Sequence, residues 1–340
     1  MDLRQLRYFV AVADADSMAV AARRLHVSQP TLSRQIRELE RDLGIQLFDR
    51  IGRRIVLRLD AREMLARSRR MLAEAESLQE RATALGGGKS GALRVGATPQ
   101  FIEAAMPHLL AIYQRGHPEV DVRLVEDGAS QLITAVEHGE LHLAIGALRY
   151  EQPLESVLLY PLRVLAVMSP RHRLASRRTV EVSDVVRERL LMLAPEFQTR
   201  QLFEEACQAM NVELRVLLES RSPQSLIALA GAGHGIAIVP SVVVLNRAPV
   251  AIAGLTHNRH PLGLWGRAVW DSRRYLPPHG EAFLTTLVGY MRRSYPGHRL
   301  RSTREIPRPA VGAPAAAVAF ARGETNIRTR IRTPTAKLPG

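Results

Sequence analysis

Gln29, Thr31, Ser33, Arg34 and Arg37 fall within nine residues, in the stretch "SQPTLSRQIR" that runs from Ser28 to Arg37. Each of these side chains can read a nucleic acid in its own way. A Gln carboxamide pairs with an adenine edge, an Arg fork with a guanine edge or a phosphate, and a Ser or Thr hydroxyl with either. Pro30 adds an apolar surface suited to a thymine methyl. None of this works on a flexible chain, so a rigid element must carry the set. Leu32, Ile36, Leu39 and Leu43 step by 4, 3 and 4, which marks the buried face of a helix and leaves the polar residues on the other side. Ser28 can cap that helix, Pro30 is tolerated in its first turn, and Gly44 suits its end.

The preceding residues supply the support. Leu3, Leu6, Phe9, Val10 and Ala13 predict a helix over 3–14, and Ser17 is a suitable cap for a second one, Met18 to Leu25. Ala19, Ala21 and Ala22 let that second helix approach its neighbours closely, and His26-Val27 makes the turn. The result is a helix-turn-helix whose restarted helix faces a groove. Ile45 to Phe48 and Ile55 to Leu57 read as short strands around Gly52-Arg53-Arg54, a basic wing suited to phosphates. An Arg-rich helix face taken singly is usually just solvated; the order and spacing of all the pieces together carry the specificity.

"MDLRQLRYFVAVAD", "AARRLHVSQPTLSRQIRELERDLGIQLFDR" and "GRRIVL" resemble the winged helix-turn-helix of LysR-type transcriptional regulators. The resemblance puts the helix-turn-helix at Met18 to Arg37. It implies DNA contacts from Gln29, Pro30, Thr31, Ser33 and Arg34 and from Arg53 and Arg54 in the wing. Arg37 joins them on its position off the leucine stripe. This DNA-binding domain spans 1–58. The next segment, 59–85, has Met64, Ser68, Met71, Ala75, Leu78, Ala82 and Leu85 alternating by 4 and 3, a heptad seam that pairs helices. A core helix shows a similar stripe over a shorter length. At ~1.5 Å per residue its roughly 24 residues make a rod of about 36 Å, and the resemblance implies a dimerisation helix. Where the family enters this helix through Thr-Glu-Ala-Gly, the chain has Arg58-Leu59-Asp60-Ala61, and Asp60 with Glu63 is expected to form a substitute capping box.

Gly86 to Gly91 is glycine-rich and reads as a hinge. Beyond it strands and helices alternate: strands at 93–96, 120–125, 141–145, 190–193, 215–218 and 236–239, helices at 102–113, 132–138, 200–210 and 224–230. This pattern predicts an α/β fold with parallel sheets, whose ligands sit beyond the strand carboxyl ends. "GALRVGATPQF", "HPEVDVRLVEDG", "GELHLAIGAL" and "SRSPQSLIALAGAGHGIAIVPS" are similar to the effector domain of the same family. That resemblance implies an effector-binding domain over 92–295, built like a periplasmic binding protein from two α/β lobes. Lobe one would comprise about 92–161 and 266–295, and lobe two about 162–265. It further implies a small-molecule effector held by Thr98, Gln100, Ser130, Gln198, Thr199 and Ser222, although Ser and Thr before helices also serve as plain caps. Helix N-termini at such a site would suit an anionic effector.

Composition bounds the rest. From Arg292 onward eleven basic residues face two acids, +9 of the chain's +14, and residues 1–58 hold eleven arginines against seven acids. Basic charge at both ends suits an acidic polymer. The stretch 296–340, rich in Arg, Pro, Ala and Thr and without periodicity, reads as a disordered basic tail. Met1 leads into an amphipathic pattern, the apolar run Ile236 to Leu245 is interrupted by Pro240, and a single cysteine cannot close an internal disulfide. A cytoplasmic protein that neither enters a membrane nor needs a cofactor is expected. His138 and His142 are four apart, yet Gly139 separates them, so a metal pair is not expected. Gly231, Gly233 and Gly235 lack dinucleotide-loop spacing, Cys207 lies on an apolar helix face without a base, and Trp265 and Trp270 read as structural.

The expected function is therefore effector-modulated promoter binding. By the resemblance the partners are double-stranded DNA, a second copy as dimer or tetramer, and RNA polymerase. Two rivals remain: a small-molecule binding protein that does not bind DNA, and an enzyme using the α/β cleft.

Overall fold

The computed structural model describes residues 1–51, 54–85, 91–149, 154–243, 249–295 and 297. Two compact units result, one holding residues 1–88 together with 137–141, the other 89–136 and 142–340. The hinge residues 86–90 and the tail beyond 297 lie outside the described residues, as do Gly52 and Arg53. Among the described residues no helix is long and apolar enough to cross a membrane.

The first unit contains helices α1 (Leu3–Ala15), α2 (Met18–Arg24) and α3 (Gln29–Leu43), strands β1 (Phe48–Ile51) and β2 (Arg54–Leu57), and helix α4 (Arg62–Leu85). Its helix starts are set by side-chain oxygens. Asp2 and Gln5 form a reciprocal capping box, Ser17 caps α2, and the Ser28 hydroxyl accepts from the Thr31 backbone N–H at 3.2 Å. His26 takes a left-handed φ of 55° in the turn between α2 and α3, and Gly44 ends α3 at φ 71°. Leu6, Phe9, Ala21, Leu32, Ile36 and Leu39 are buried together, and Phe9 meets Phe48 edge-on at 5.5 Å.

Two expectations are corrected here. The first wing strand begins at Phe48 and not at Ile45, because the Glu40 carboxylate captures the Leu47 N–H at 2.8 Å and holds the chain in a connection up to that point. The Asp60/Glu63 pair does not act as a capping box. Asp60 takes the Arg58 guanidinium at 3.2 Å, which holds its carboxyl below the ordinary value, and Glu63 takes Arg67 at 2.7 Å.

The second unit runs β3 (Gly91–Ala97), α5 (Pro99–Gly116), β4 (Val120–Glu126), α6 (Ala129–His138), β5 (Leu143–Gly146), β6 (Glu155–Met168), β7 (Thr179–Glu181) and α7 (Val182–Val185). It continues through β8 (Leu190–Leu193), α8 (Gln198–Gln208), β9 (Val216–Ser220), α9 (Pro223–Gly231) and β10 (Ile236–Pro240). It ends with β11 (Ala251–His257), β12 (His260–Pro261), β13 (Gly263–Trp270) and α10 (Pro278–Arg293). The main strand order is β4-β3-β5-β13-β6-β10-β8-β9. Parallel pairs lie at both ends, β3 with β4 and β5, and β8 with β9 and β10. The centre departs from the all-parallel expectation: β6 and β13 run antiparallel to each other, and β6 also pairs antiparallel with β10 and β11. Glu155 to Arg163 of β6 pair with β13, and Val164 to Met168 pair with the second lobe's strands, so this strand passes from one lobe to the other.

Each lobe has its own core. Leu93, Val95, Phe101, Leu109, Ile145 and Phe283 fill the first. In the second, Val164, Ala166 and Met168 join Phe203 and Ile238 on one sheet face, while Leu165 and Val167 join Leu191, Ile227 and Val239 on the other. That alternation is the period of two expected for a strand covered on both faces. Asp271 ends β13 as a buried carboxylate that accepts from the Arg273 backbone N–H at 3.0 Å and from two guanidinium nitrogens at 2.9 Å. Burial alone pushes this carboxyl up, but the Arg273 bonds and the charges of Arg273 and Arg274 outweigh burial and hold it below its usual value. A depressed carboxyl contributes stability that is present above about pH 4 and is lost as pH falls through the folded value. Asp271→Asn should therefore cost about 2 kcal/mol in urea unfolding at pH 7, with the difference from wild type shrinking below pH 4.

Candidate functional site

Two surfaces carry the polar chemistry. On α3, burial of Leu32, Ile36 and Leu39 turns Gln29, Pro30, Thr31, Arg34 and Arg37 to solvent and leaves Ser33 half-buried. The Thr31 hydroxyl shares a 2.7 Å hydrogen bond with the Ser28 cap, which fixes it at the helix entrance. Arg34 is held only loosely by Glu38 at 3.8 Å. Arg54 pairs with Ile51 across the wing ladder; the wing's other arginine, Arg53, is among the residues not described. The α4 seam divides in two. Ser68 is buried and Met64 packs against the head's core, whereas Met71, Leu78 and Leu85 are 45%, 70% and 81% exposed. Such a row of apolar residues on a solvent face is what a partner helix covers.

The second surface is a cleft in the effector unit, with about 440 Å³ of empty space counted to its open mouth. Thr98, Gln100, Gln198 and Thr199 line it. Thr98 stands at the N-cap of α5 but makes no capping bond, so its hydroxyl stays available. It needs Gly146 opposite: at φ 152° a Cβ there would come within 2.6 Å of the Thr98 methyl. Gln100 is 4% exposed, and its amide nitrogen has no hydrogen-bond partner. Gln198 donates to the Gln201 Oε1 at 2.8 Å, while its own buried Oε1 has no partner.

Ser130 and Ser222 do not line the cleft. Ser130 is exposed and donates to Gln131, and Ser222 is occupied as the cap of α9, accepting from the Ser225 N–H at 3.3 Å. Residue-by-residue transfer missed Asp127, Glu196, Tyr160, Leu193 and Pro240, all in the cleft wall. Leu193 and Pro240 could have been found, since both end strands of the second lobe where ligands of open α/β sheets sit.

Buried groups behind the walls hold the geometry. The Arg200 guanidinium donates to Glu204 at 2.6 Å, Glu219 at 3.0 Å and the Leu193 carbonyl at 3.2 Å, tying the start of α8 to the ends of β8 and β9. Tyr160 is stacked between Phe101 at 6.0 Å and Tyr295 at 6.5 Å, and burial pushes its phenol up. Away from the cleft, both ring nitrogens of His142 face Arg94, which donates its backbone N–H at 3.1 Å and sets its guanidinium 2.9 Å from the other nitrogen. Cys207 is buried in the second lobe's core, and burial pushes its thiol up to about 11.

Comparison with known proteins adds the family. Residues 3–59 match the bacterial regulatory helix-turn-helix protein, lysR family, and residues 86–292 match the LysR substrate binding domain. The transcriptional regulator XapR of Escherichia coli K12 is 30% identical over 278 residues, 81% of this chain and 94% of that protein. The regulator OxyR of the same organism is 31% identical over 245 residues, 72% and 80% of the two chains. Among solved structures, CbnR complexed with its target DNA superposes with a TM-score of 0.60 at 26% identity, covering 86% of this chain and all of that one (100%). With both of its units matched, the chain belongs to the LysR family of transcriptional regulators.

Proposed function

We propose that this regulator reads promoter DNA through Gln29, Pro30, Thr31, Ser33, Arg34 and Arg37, with Arg53 and Arg54 of the wing on phosphates. The observation that carries the reading is the first turn of α3, where polar side chains are exposed directly behind a buried Leu32, Ile36 and Leu39 stripe. The exposed Met71, Leu78 and Leu85 row supports pairing of α4 with a second copy, which would present two recognition helices to successive major grooves about 34–36 Å apart. A tetramer and contact with RNA polymerase extend that arrangement. CbnR has been solved with its target DNA, and the same use of the head is proposed for this chain. Its place of action would be the cytoplasm, where promoter DNA is found.

Thr98, Gln100, Gln198 and Thr199 would hold a small-molecule effector, and closing the lobes on it would change how the paired heads sit on DNA. No catalytic step is part of this reading: of the two cleft carboxylates, Asp127 takes the Gly128 N–H and Glu196 pairs with Arg221. Nor does the likeness to proteins described as hydrogen peroxide-inducible genes activators extend to thiol chemistry at Cys207. A peroxide-reactive cysteine is an exposed thiolate; this one is buried and, titrating near 11, stays a neutral thiol at pH 7.

Three outcomes are expected. In mobility-shift titrations Gln29→Ala should weaken operator binding by about 1–3 kcal/mol while sparing random DNA; Arg37→Ala should weaken both and lower the salt slope by about one. Equal loss on all sequences for Gln29→Ala would remove its base-reading role. Leu78→Arg should halve the particle mass in sedimentation and lower operator affinity by roughly 100-fold through lost bivalency. Cys207→Ala should leave peroxide exposure without effect on operator binding, as in the wild type, and the wild-type thiol should react with a disulfide reagent only after unfolding.

A further inference from the structure

The cleft's polar inventory is unusual in its sign. Asp127 and Glu196 line it, and among the described residues no Lys, Arg or His does. Both acids are already engaged, Asp127 by the Gly128 N–H at 2.7 Å and Glu196 by Arg221 at 2.7 Å. An anion entering this wall would give up its hydration against two carboxylates, with the nearby Arg221 guanidinium already paired to Glu196.

Two groups are left without partners, and bonds fix one of them in kind. Gln201 donates its amide nitrogen to the Pro195 carbonyl at 3.1 Å, so its oxygen must act as acceptor, and Gln198 must be the donor at 2.8 Å. This chain of bonds forces the Gln198 Oε1 to be the free end, a buried acceptor. On the other lobe Gln100, on α5, has a buried amide nitrogen without a partner, a donor. Leaving either buried group unmet is costly.

The helix ends agree. Pro99 has no N–H, and the N–H groups of Phe101 and Ile102 turn back to the Thr98 carbonyl at 2.9 and 3.0 Å. At α8 the N-cap is Phe197, whose side chain has no oxygen and whose carbonyl takes the Gln201 N–H at 3.1 Å. The polar groups of the cleft wall outside its two acids are neutral: the Gln100 amide donor, the Gln198 carbonyl acceptor and the Thr98 and Thr199 side chains. Leu162, Leu193, Phe197 and Val242 supply an apolar wall for the rest of the molecule.

We infer that the effector is an uncharged molecule with a carboxamide or lactam edge on an apolar ring, its carbonyl oxygen accepting from Gln100 and its N–H donating to Gln198. The inference rests on the cleft being the effector site, as proposed above. It explains how a ligand can draw the lobes together, since its two polar atoms are claimed by different lobes.

Three probes of one shape test it: benzamide, its anionic counterpart benzoate and its cationic counterpart benzamidine. They are titrated calorimetrically into the full-length protein. Benzamide should bind at least about 10-fold tighter than either, because a buried donor or acceptor left unmet discriminates strongly. Gln100→Leu should erase the benzamide preference, and Gln198→Glu should shift it toward benzamidine. Tighter binding of benzoate or benzamidine to the wild type, or equal binding of all three, overturns the neutral-effector assignment while the cleft stands if Gln100→Leu weakens the binding. No binding by any probe at its solubility limit, or binding unchanged in both variants, overturns the cleft as the effector site and the assignment with it.

Discussion

Strand β6 is the constraint on which the effector unit depends. It is one covalent segment of fourteen residues, yet its first part belongs to one lobe's sheet and its last part to the other's. Val157 and Leu159 enter the first core, while the alternating Val164 to Met168 supply both cores of the second. Its antiparallel partner β13 runs beside the first-lobe part of it, with a register shift between Gly266 and Arg267. Two hydrogen-bonded strands resist stretching and shear but tolerate twist. Packed cores have discrete arrangements and do not deform continuously, so a ligand bridging them selects among a few states.

The DNA-binding head works by a different principle. Nothing in α3 needs to move, because Ser28, Gly44 and the leucine stripe fix both its length and its rotation. With the helix locked, the direction of Gln29 and Arg34 is decided by packing on the side they do not occupy. The orientation of the front face is thus secured from behind, by Phe9, Leu32 and Ile36.

Legibility in the sequence followed the range of the forces involved. Helix starts at Ser17 and Ser28 and the end at Gly44 could be read because caps are local, within three residues of what they cap. The α3 face could be read because its period is local too. The wing strand was displaced by three residues because Glu40, eight positions upstream of Phe48 and on another element, decides where pairing begins. The Asp60/Glu63 box failed for a similar reason: each carboxylate had an arginine within reach that a short pattern does not weigh. β6 and β13 were hard to see because a strand covered on both faces loses the alternation that marks half-buried ones. In the cleft, Thr98, Gln100, Gln198 and Thr199 came from positions in a resembling family, and Asp127 and Glu196, which set its charge, came only with the fold.

One feature of the helix starts reaches beyond architecture. Helices α1, α2, α3 and α9 open on Asp2, Ser17, Ser28 and Ser222, each with an oxygen on the first-turn amides. Helices α5 and α8, which begin at the cleft, open on a Thr that makes no side-chain capping bond and on a Phe. The first-turn amides of α5 turn back to the Thr98 carbonyl, whereas those of α8 have no side-chain cap. A molecule that supplied that cap would couple its own affinity to fold stability; it would act as a missing piece of secondary structure, its cellular concentration setting how firmly this half of the protein is held together.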